Sequence, residues 1–262
     1  MAGNGNGHVK PKVAFFDFSS CEGCQLTVVD SLETHLDLLN AVEIVNFREA
    51  ISERGQDYAV AFVEGSCTRQ SDEARLNAIR EQAAIVVALG ACAHLGGVNA
   101  LKNEFPLADV REYVYGDKAE WYDTYAARPI SDVIKVDAVL PGCPIDLEEF
   151  ITFVKQVLQG RVPDLPENPV CVECRMQENT CVWTLGQVCL GPITRGGCHA
   201  ICPANGLGCE GCRGLLVDPN VEALFELMTE AGLTKADVEA KTTLFLSYEM
   251  AQRAEELLGE GS

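Results

Sequence analysis

The sequence predicts an α/β fold in which a doubly wound parallel sheet is followed by a cysteine-rich region and C-terminal helices. Short apolar runs alternate with helical stretches over roughly the first 160 residues, eight cysteines lie within residues 171–212, and amphipathic segments return from Asn220 onward. Strands that alternate with helices are typical of parallel sheets covered on both faces. The cysteine-rich region has little apolar periodicity, so we expect bound metal to supply its cohesion.

Five apolar runs are the predicted strands, at residues 12–18, 42–47, 57–63, 84–89 and 136–140. Residues 84–89 are continuously apolar, which favours a strand buried on both faces. Helical periodicity predicts helices over 25–39, 72–82, 146–158 with Asp146 as the cap, 221–231, 235–241 and 244–258. Residues 101–131 are interpreted as an insertion and residues 160–168 as a linker.

Composition limits the class of partner and the location. The 262 residues carry 39 acidic and 20 basic side chains, a net charge of −19, which disfavours nucleic acid and anionic membranes. No apolar run approaches the ~20 residues of a membrane span, and residues 1–10 read as a flexible tail without a secretory signal. We therefore expect a soluble cytoplasmic protein. Its thirteen cysteines are then more suited to metal binding than to disulfides.

Four cysteines of the first region each follow a predicted strand. Cys21 and Cys24 form a CxxC motif after the first strand, Cys92 follows residues 84–89, and Cys143 follows the last strand. The carboxyl ends of parallel strands meet at one edge of a sheet, so these thiols should converge there. Four thiolates suit either zinc or a [4Fe–4S] cluster. A set this widely spread along the chain favours the cluster.

Eight further cysteines divide into two quartets in the second region. Two zinc knuckles are the alternative interpretation, because CxxC pairs open and close the region. Zinc has no accessible redox state, however, and three quartets in one acidic chain favour a series of redox centres over three structural ions.

The motifs taken together resemble the small subunits of [NiFe]-hydrogenases. The CxxC motif, Glu64-Gly65, Gly-Ala-Cys92 and Pro-Gly-Cys143-Pro occur in that family's order, and residues 189–198 resemble its turn between two clusters. Pro-Gly-Cys-Pro alone is shared with a complex I subunit. The finer resemblance is to the cytoplasmic sulfhydrogenase delta and F420-non-reducing hydrogenase small subunits. It implies a tail (1–10), a flavodoxin-like domain (11–165), a cluster-binding domain (166–216) and a helical extension (217–262).

The resemblance implies three [4Fe–4S] clusters and their ligands. Many periplasmic relatives have histidine where this chain has Cys171, and proline where it has Cys202. A fourth thiolate at Cys202 predicts a complete medial cubane. The implied ligands are Cys21, Cys24, Cys92 and Cys143 for the proximal cluster, Cys171, Cys174, Cys181 and Cys189 for the distal cluster, and Cys198, Cys202, Cys209 and Cys212 for the medial cluster.

The implied function is reversible electron transfer from H2. Only Cys67 lies outside the three quartets, which is too few cysteines for a nickel–iron centre, so that centre and all catalytic residues are expected on a large-subunit partner. Electrons would pass to a flavin/iron–sulfur module linked to NAD(P). The alternatives are coenzyme F420 or a heterodisulfide reductase as acceptor, a complex I-like quinone-linked subunit, and a zinc-stabilised scaffold without redox function.

Several residues near the motifs have two interpretations. Cys67 is either a buried small hydrophobe or a thiol beside the proximal cluster. Glu64 is either a helix-capping carboxylate or a group near the proximal site, as its position in the family implies. Glu22 is either a turn residue or a tuning charge. We expect hydrogen bonding or packing, not ligation, from His94, His199, Trp183 and Tyr248.

Overall fold

A computed structural model describes residues 10–161 and 163–259, so nearly all of the predicted tail lies outside the described residues. Its five strands form one sheet with the order β2-β1-β3-β4-β5, and every neighbouring pair is parallel. The strands are β1 (Lys12–Asp17), β2 (Glu43–Asn46), β3 (Val60–Glu64), β4 (Ile85–Leu89) and β5 (Ala138–Leu140). The predicted doubly wound, flavodoxin-like fold is confirmed.

Apolar side chains cover both faces of this sheet. Alternate residues of β1 enter different clusters, with Val13 and Phe15 on one face and Ala14 and Phe16 on the other. All five residues of β3 are buried. This double burial explains why the central strands read as continuous apolar runs rather than alternating ones.

Ten α-helices lie within the described residues. Two predictions of their boundaries were wrong: the helix expected over 25–39 is interrupted at His35, and those expected over 235–241 and 244–258 form one helix. The predicted cap at Asp146 is present, since its side chain accepts the Glu149 N–H at 2.9 Å. The helices are α1 (Gly23–Thr34), α2 (Leu36–Ala41), α3 (Gln70–Gln82), α4 (Gly90–Leu95), α5 (Leu107–Tyr115), α6 (Leu147–Leu158), α7 (Val170–Met176), α8 (Ile201–Ala204), α9 (Val221–Glu230) and α10 (Lys235–Gly259).

Much of the insertion at residues 101–131 lies on the surface. Every residue of α5 is exposed or half-buried, and Tyr113 is 93% exposed. Two 3-10 helices, Gly97–Glu104 and Gly116–Trp121, flank α5. The weak periodicity of this segment therefore reflects a largely exposed stretch, which returns to the core only at its end, with Ala127 and Ile130 fully buried.

The C-terminal helices pack against the cysteine-rich region. Leu246 of α10 belongs to a buried cluster with Ala91 of α4 and Leu190 of the cysteine-rich region. The Glu249 carboxylate accepts the Leu215 N–H at 3.1 Å. These contacts join the three parts of the chain. None of the described helices is long and apolar enough to cross a membrane.

Candidate iron–sulfur sites

The first quartet lies at the carboxyl edge of the sheet. Cys21 follows β1, Cys24 lies in the first turn of α1, Cys92 lies in α4 directly after β4, and Cys143 follows β5. Burial raises the pKa of Cys92 to about 12, with further increases from nearby Cys143, Glu64 and Cys21. Burial likewise raises the pKa of Cys24, and Cys143 and Cys92 are among the charges that add to it. The four thiols thus share one site.

A glycine makes room for this site. Gly90 opens α4 with a φ of +81°, and a Cβ there would lie 2.3 Å from the Cys24 sulfur. A residue with a side chain would be strained in this left-handed conformation, and its Cβ would have no space. The sulfur of Cys24 therefore packs directly against the backbone that carries Cys92.

Glu64 links the first quartet to the end of β3. It is 2% exposed, and its two carboxylate oxygens accept the backbone N–H groups of Cys24 and Gln25, each at 3.1 Å. Burial raises its pKa, and the two N–H bonds partly oppose this rise. Glu64 therefore caps α1 and also lies beside the thiols, so both interpretations of this residue describe its position.

The second quartet is built around α7. Cys171 and Cys174 lie in this helix, Cys181 precedes a 3-10 turn at Val182–Leu185, and Cys189 follows that turn. Burial raises the pKa of Cys171 to about 11, and Cys189, Cys174 and Cys181 raise it further. Cys181 is exposed while Cys174 and Cys189 are buried. This quartet is therefore open to solvent on one side only.

The third quartet lines a cavity of about 380 Å³. Burial raises the pKa of Cys212 to about 12; a backbone hydrogen bond from Cys143 opposes this, and Cys198, Cys143 and Cys202 increase it. Burial also raises the pKa of Cys209, and Cys212 is one of the neighbours that increase it. Cys143 of the first quartet lines the same cavity as the four thiols.

The quartet that comes last in the sequence lies between the other two. It meets the first quartet at the shared cavity, where Cys143 lies beside Cys212 and acts on its pKa. It meets the second where the Cys209 N–H donates to the Cys189 sulfur at 3.2 Å. The three quartets thus form a row, with Cys143 and Cys212 at one junction and Cys189 and Cys209 at the other.

The donor chemistry fits iron–sulfur clusters. Burial raises the pKa of most of these thiols, including Cys24, Cys92 and Cys212, so a bound cationic metal would be what holds them as thiolates. Four thiolates per site is the number that a [4Fe–4S] cluster takes, and backbone N–H groups near the sulfurs are expected around such clusters. Among the described residues, no group of three or more His, Cys, Asp or Glu side chains is arranged to hold a single metal ion.

Cys67 lies apart from the quartets. It is buried in the cluster on the opposite face of the sheet from Cys24, and its sulfur lies 3.0 Å from the Tyr125 hydroxyl. Burial raises its pKa, which the Tyr125 hydrogen bond partly opposes. The structure thus places Cys67 as the small buried core residue of the first interpretation.

The remaining predicted neighbours are distributed around the sites. Glu22 has a left-handed φ of 62° and pairs with Arg48 at 3.1 Å. Burial lowers the pKa of His94 to about 4, with help from Arg195 and Arg213. Three further residues were expected to form hydrogen bonds or to pack, not to bind a cluster. Of these, His199 is exposed, and Trp183 and Tyr248 are half-buried.

Sequence reasoning missed two residues at the joint between the first and third quartets. Arg213 is 1% exposed and forms an ion pair with Glu149 at 2.7 Å. The sequence feature that could have indicated Arg213 is its position directly after the predicted ligand Cys212. Its partner is 64 residues away, and sequence spacing does not reveal such a pair.

Comparison with known proteins gives consistent matches. A family described as NADH ubiquinone oxidoreductase, 20 Kd subunit, matches residues 21–157. The sulfhydrogenase 2 subunit delta of Pyrococcus furiosus is 37% identical over 221 residues, covering 84% of this chain and 92% of that protein. A vhu subunit of the F420-non-reducing hydrogenase of Methanocaldococcus jannaschii is 33% identical over 236 residues, covering 78% of this chain and 81% of the relative.

A structural likeness points the same way. A chain of an NAD+-reducing [NiFe]-hydrogenase in its H2-reduced state superposes with a TM-score of 0.53 and 27% identity. The likeness covers 60% of this chain and 96% of the other.

Proposed function

The chain belongs to the family of hydrogenase small subunits, and we propose that its quartets hold three [4Fe–4S] clusters that carry electrons to or from a partner's active site. As a member of this family it is an iron–sulfur, electron-transferring subunit of an oxidoreductase whose active site lies on the large subunit. The row of three adjacent quartets is the observation that supports three clusters. When bound, each cluster would accept and release one electron at a time.

The chain's own residues would hold, space and shield the clusters. The middle quartet is the best shielded, because each of its thiols is buried or half-buried, and the Cys209 backbone N–H donates to the Cys189 sulfur of the second quartet. Hydrogen bonds and solvent exclusion are two of the features that set cluster potentials. The proposed ligands are Cys21, Cys24, Cys92 and Cys143 for the proximal cluster, Cys198, Cys202, Cys209 and Cys212 for the medial cluster, and Cys171, Cys174, Cys181 and Cys189 for the distal cluster.

The thiols that are exposed to solvent belong to the two quartets at the ends of the row. Cys21 and Cys143 are exposed in the first quartet and Cys181 is exposed in the second, whereas each thiol of the middle quartet is buried or half-buried. We assign the first quartet to the face that the large subunit covers, and the Cys181 end to the acceptor. The boundaries near residues 165 and 216 belong to this proposal.

A flavin/iron–sulfur module linked to NAD(P) is the proposed acceptor, in a cytoplasmic complex. The name of the NAD+-reducing [NiFe]-hydrogenase supports this choice. Coenzyme F420 or a heterodisulfide reductase is the second candidate acceptor, because one relative is named coenzyme F420 hydrogenase subunit gamma, from Methanococcus voltae. The name "F420-non-reducing" of the Methanocaldococcus jannaschii relative speaks for an acceptor other than F420 within this group.

The test is anaerobic purification of the intact complex from its native host. We expect a nickel-containing partner and H2-dependent reduction of NAD+ or NADP+. We also expect at least about 12 irons per copy of this chain, because each of three clusters holds four and the partner subunits add their own. Reduction of F420 alone would replace the acceptor and leave the rest intact. A preparation without nickel, or with far fewer irons, would contradict the proposal.

Two cysteine variants provide a matched comparison. Cys181→Ser should remove or alter one cluster signal and slow reduction of the acceptor. Cys67→Ser changes a thiol outside the quartets and should leave all three signals intact. Equal effects of the two substitutions would show that Cys181 has no special role.

A further inference from the structure

Arg213 joins the sheet domain to the cysteine-rich region. Its guanidinium Nε donates to the Gly196 carbonyl at 2.6 Å, and Nη1 donates to the Pro141 carbonyl at 2.9 Å. Pro141 lies two residues before Cys143, and Arg213 itself directly follows Cys212. One side chain thus connects the backbones beside ligands of two neighbouring quartets.

Glu149 of α6 holds this guanidinium in a bidentate ion pair. Nη1 donates to Oε2 at 2.8 Å and Nη2 to Oε1 at 2.7 Å. Gly197 leaves room for the fork: its φ is +107°, and a Cβ there would lie 2.2 Å from Nη2. The guanidinium is therefore held in position by the carboxylate, by two backbone carbonyls and by close packing against Gly197.

The guanidinium borders the cavity of the middle quartet. Arg213 lines it together with Cys198, Cys202, Cys209 and Cys212. A buried ion pair often contributes little to net stability, because both charges must be desolvated. A charge beside an iron–sulfur cluster, in contrast, acts directly on its reduction potential.

We propose that the Arg213–Glu149 pair is a positioning and tuning device for the medial cluster, in which the guanidinium favours the reduced form and the carboxylate limits that effect. Reduction adds one negative charge, which a fixed positive charge stabilises. This inference rests on the proposed function, because it needs a cluster in the middle quartet.

Substitutions of the two residues should shift the reduction potential of the medial cluster in opposite directions. Glu149→Gln leaves the guanidinium without its counter-charge, so the potential of the medial cluster should rise. Arg213→Gln leaves the carboxylate alone, so the potential should fall. Both variants break the same hydrogen-bonded fork. A merely structural role would therefore move the potential in one direction or not at all.

The experiment is an EPR-monitored redox titration of the intact hydrogenase complex at pH 8. The medial signal is assigned by its change in Cys202→Ser. Arg213→Lys keeps the charge but loses the planar fork, so it should retain a medial potential closer to wild type than Arg213→Gln does. Asp137→Asn is the matched control, because it removes the carboxylate from another arginine pair, with Arg80. Asp137 directly precedes β5 and so lies at the opposite end of that strand from Cys143.

The expected result is an upward shift in Glu149→Gln, a downward shift in Arg213→Gln, smaller shifts of the distal cluster and none in Asp137→Asn. Shifts of the same sign in both variants, or unchanged potentials with all clusters present, would overturn this inference alone. Wild-type complex without cubane signals would overturn the proposed function as well.

Discussion

Replacing Gly90 with alanine tests how closely the first quartet is packed. A Cβ at this position would lie 2.3 Å from the Cys24 sulfur and 3.4 Å from the Gly142 carbonyl oxygen. The left-handed backbone costs a residue other than glycine about 1–2 kcal/mol, and overpacking adds about 1–3 kcal/mol. The sum is about 2–5 kcal/mol, which is a large part of a typical domain's stability of about 5–15 kcal/mol.

Gly232→Ala separates the two contributions. Gly232 has a φ of +87°, close to that of Gly90, but nothing lies within 4 Å of its ideal Cβ. We expect Gly232→Ala to lose only the backbone part and Gly90→Ala to lose the proximal cluster as well. Iron and sulfide analysis, with the denaturant midpoint for loss of the clusters' visible absorbance, measures both effects. Equal midpoints and full iron in both variants would refute the reasoning.

Three further substitutions test other contacts. Glu64→Gln should weaken the cap of α1 by about 0.5–2 kcal/mol and raise the proximal potential by removing a negative charge; a denaturation curve and a redox titration that both match wild type would contradict this. Cys67→Ser should leave the EPR spectrum unchanged, because the serine hydroxyl can still bond to Tyr125 in the opposite-face core; an altered proximal signal would return Cys67 to the cluster. Tyr248→Phe tests the contact with Asp132: burial and that bond raise the pKa of Tyr248 from 10 to about 12. The folded state therefore favours the neutral phenol, and this stabilising contribution is present below about pH 10 and lost as the pH rises towards 12. The pH dependence of unfolding should be flatter in that range for the variant, and identical slopes would argue against the contact.

The sheet could be predicted because local pattern and tertiary burial agree. Residues 84–89 are apolar throughout, and β4 occupies 85–89 of that run. The helix break at His35 could not be predicted, because the apolar stripe continues across it. The Thr34 hydroxyl bonds to the Ser31 carbonyl at 3.2 Å and to His35 Nδ1 at 2.9 Å, and such local bonds compete with helix continuation.

The opposite error occurs in α10. Thr242 and Thr243 are poor helix formers, and a break was predicted beside them. In the structure Thr242 is buried and its hydroxyl bonds to the Val238 carbonyl at 2.9 Å. Leu246, one turn later, is fully buried in the cluster that joins α10 to the cysteine-rich region. Tertiary packing therefore outweighs the local preference.

The candidate ligands could be predicted as cysteines at strand ends and in clusters, whereas the surrounding contacts could not. Glu64 and Cys24 are 40 residues apart, and Glu149 and Arg213 are 64 apart. Which groups meet at such separations depends on how the sheet and the cysteine-rich region pack. The spatial order of the quartets differs from their order along the chain for the same reason.

The most direct test of the three-cluster proposal is Mössbauer spectroscopy of the intact, 57Fe-enriched complex, combined with metal analysis. We expect at least about 12 irons in [4Fe–4S] clusters per copy of this chain, with any further iron supplied by the partner subunits. Less cubane iron than this, with about three zinc ions per copy of the chain in its place, would contradict it.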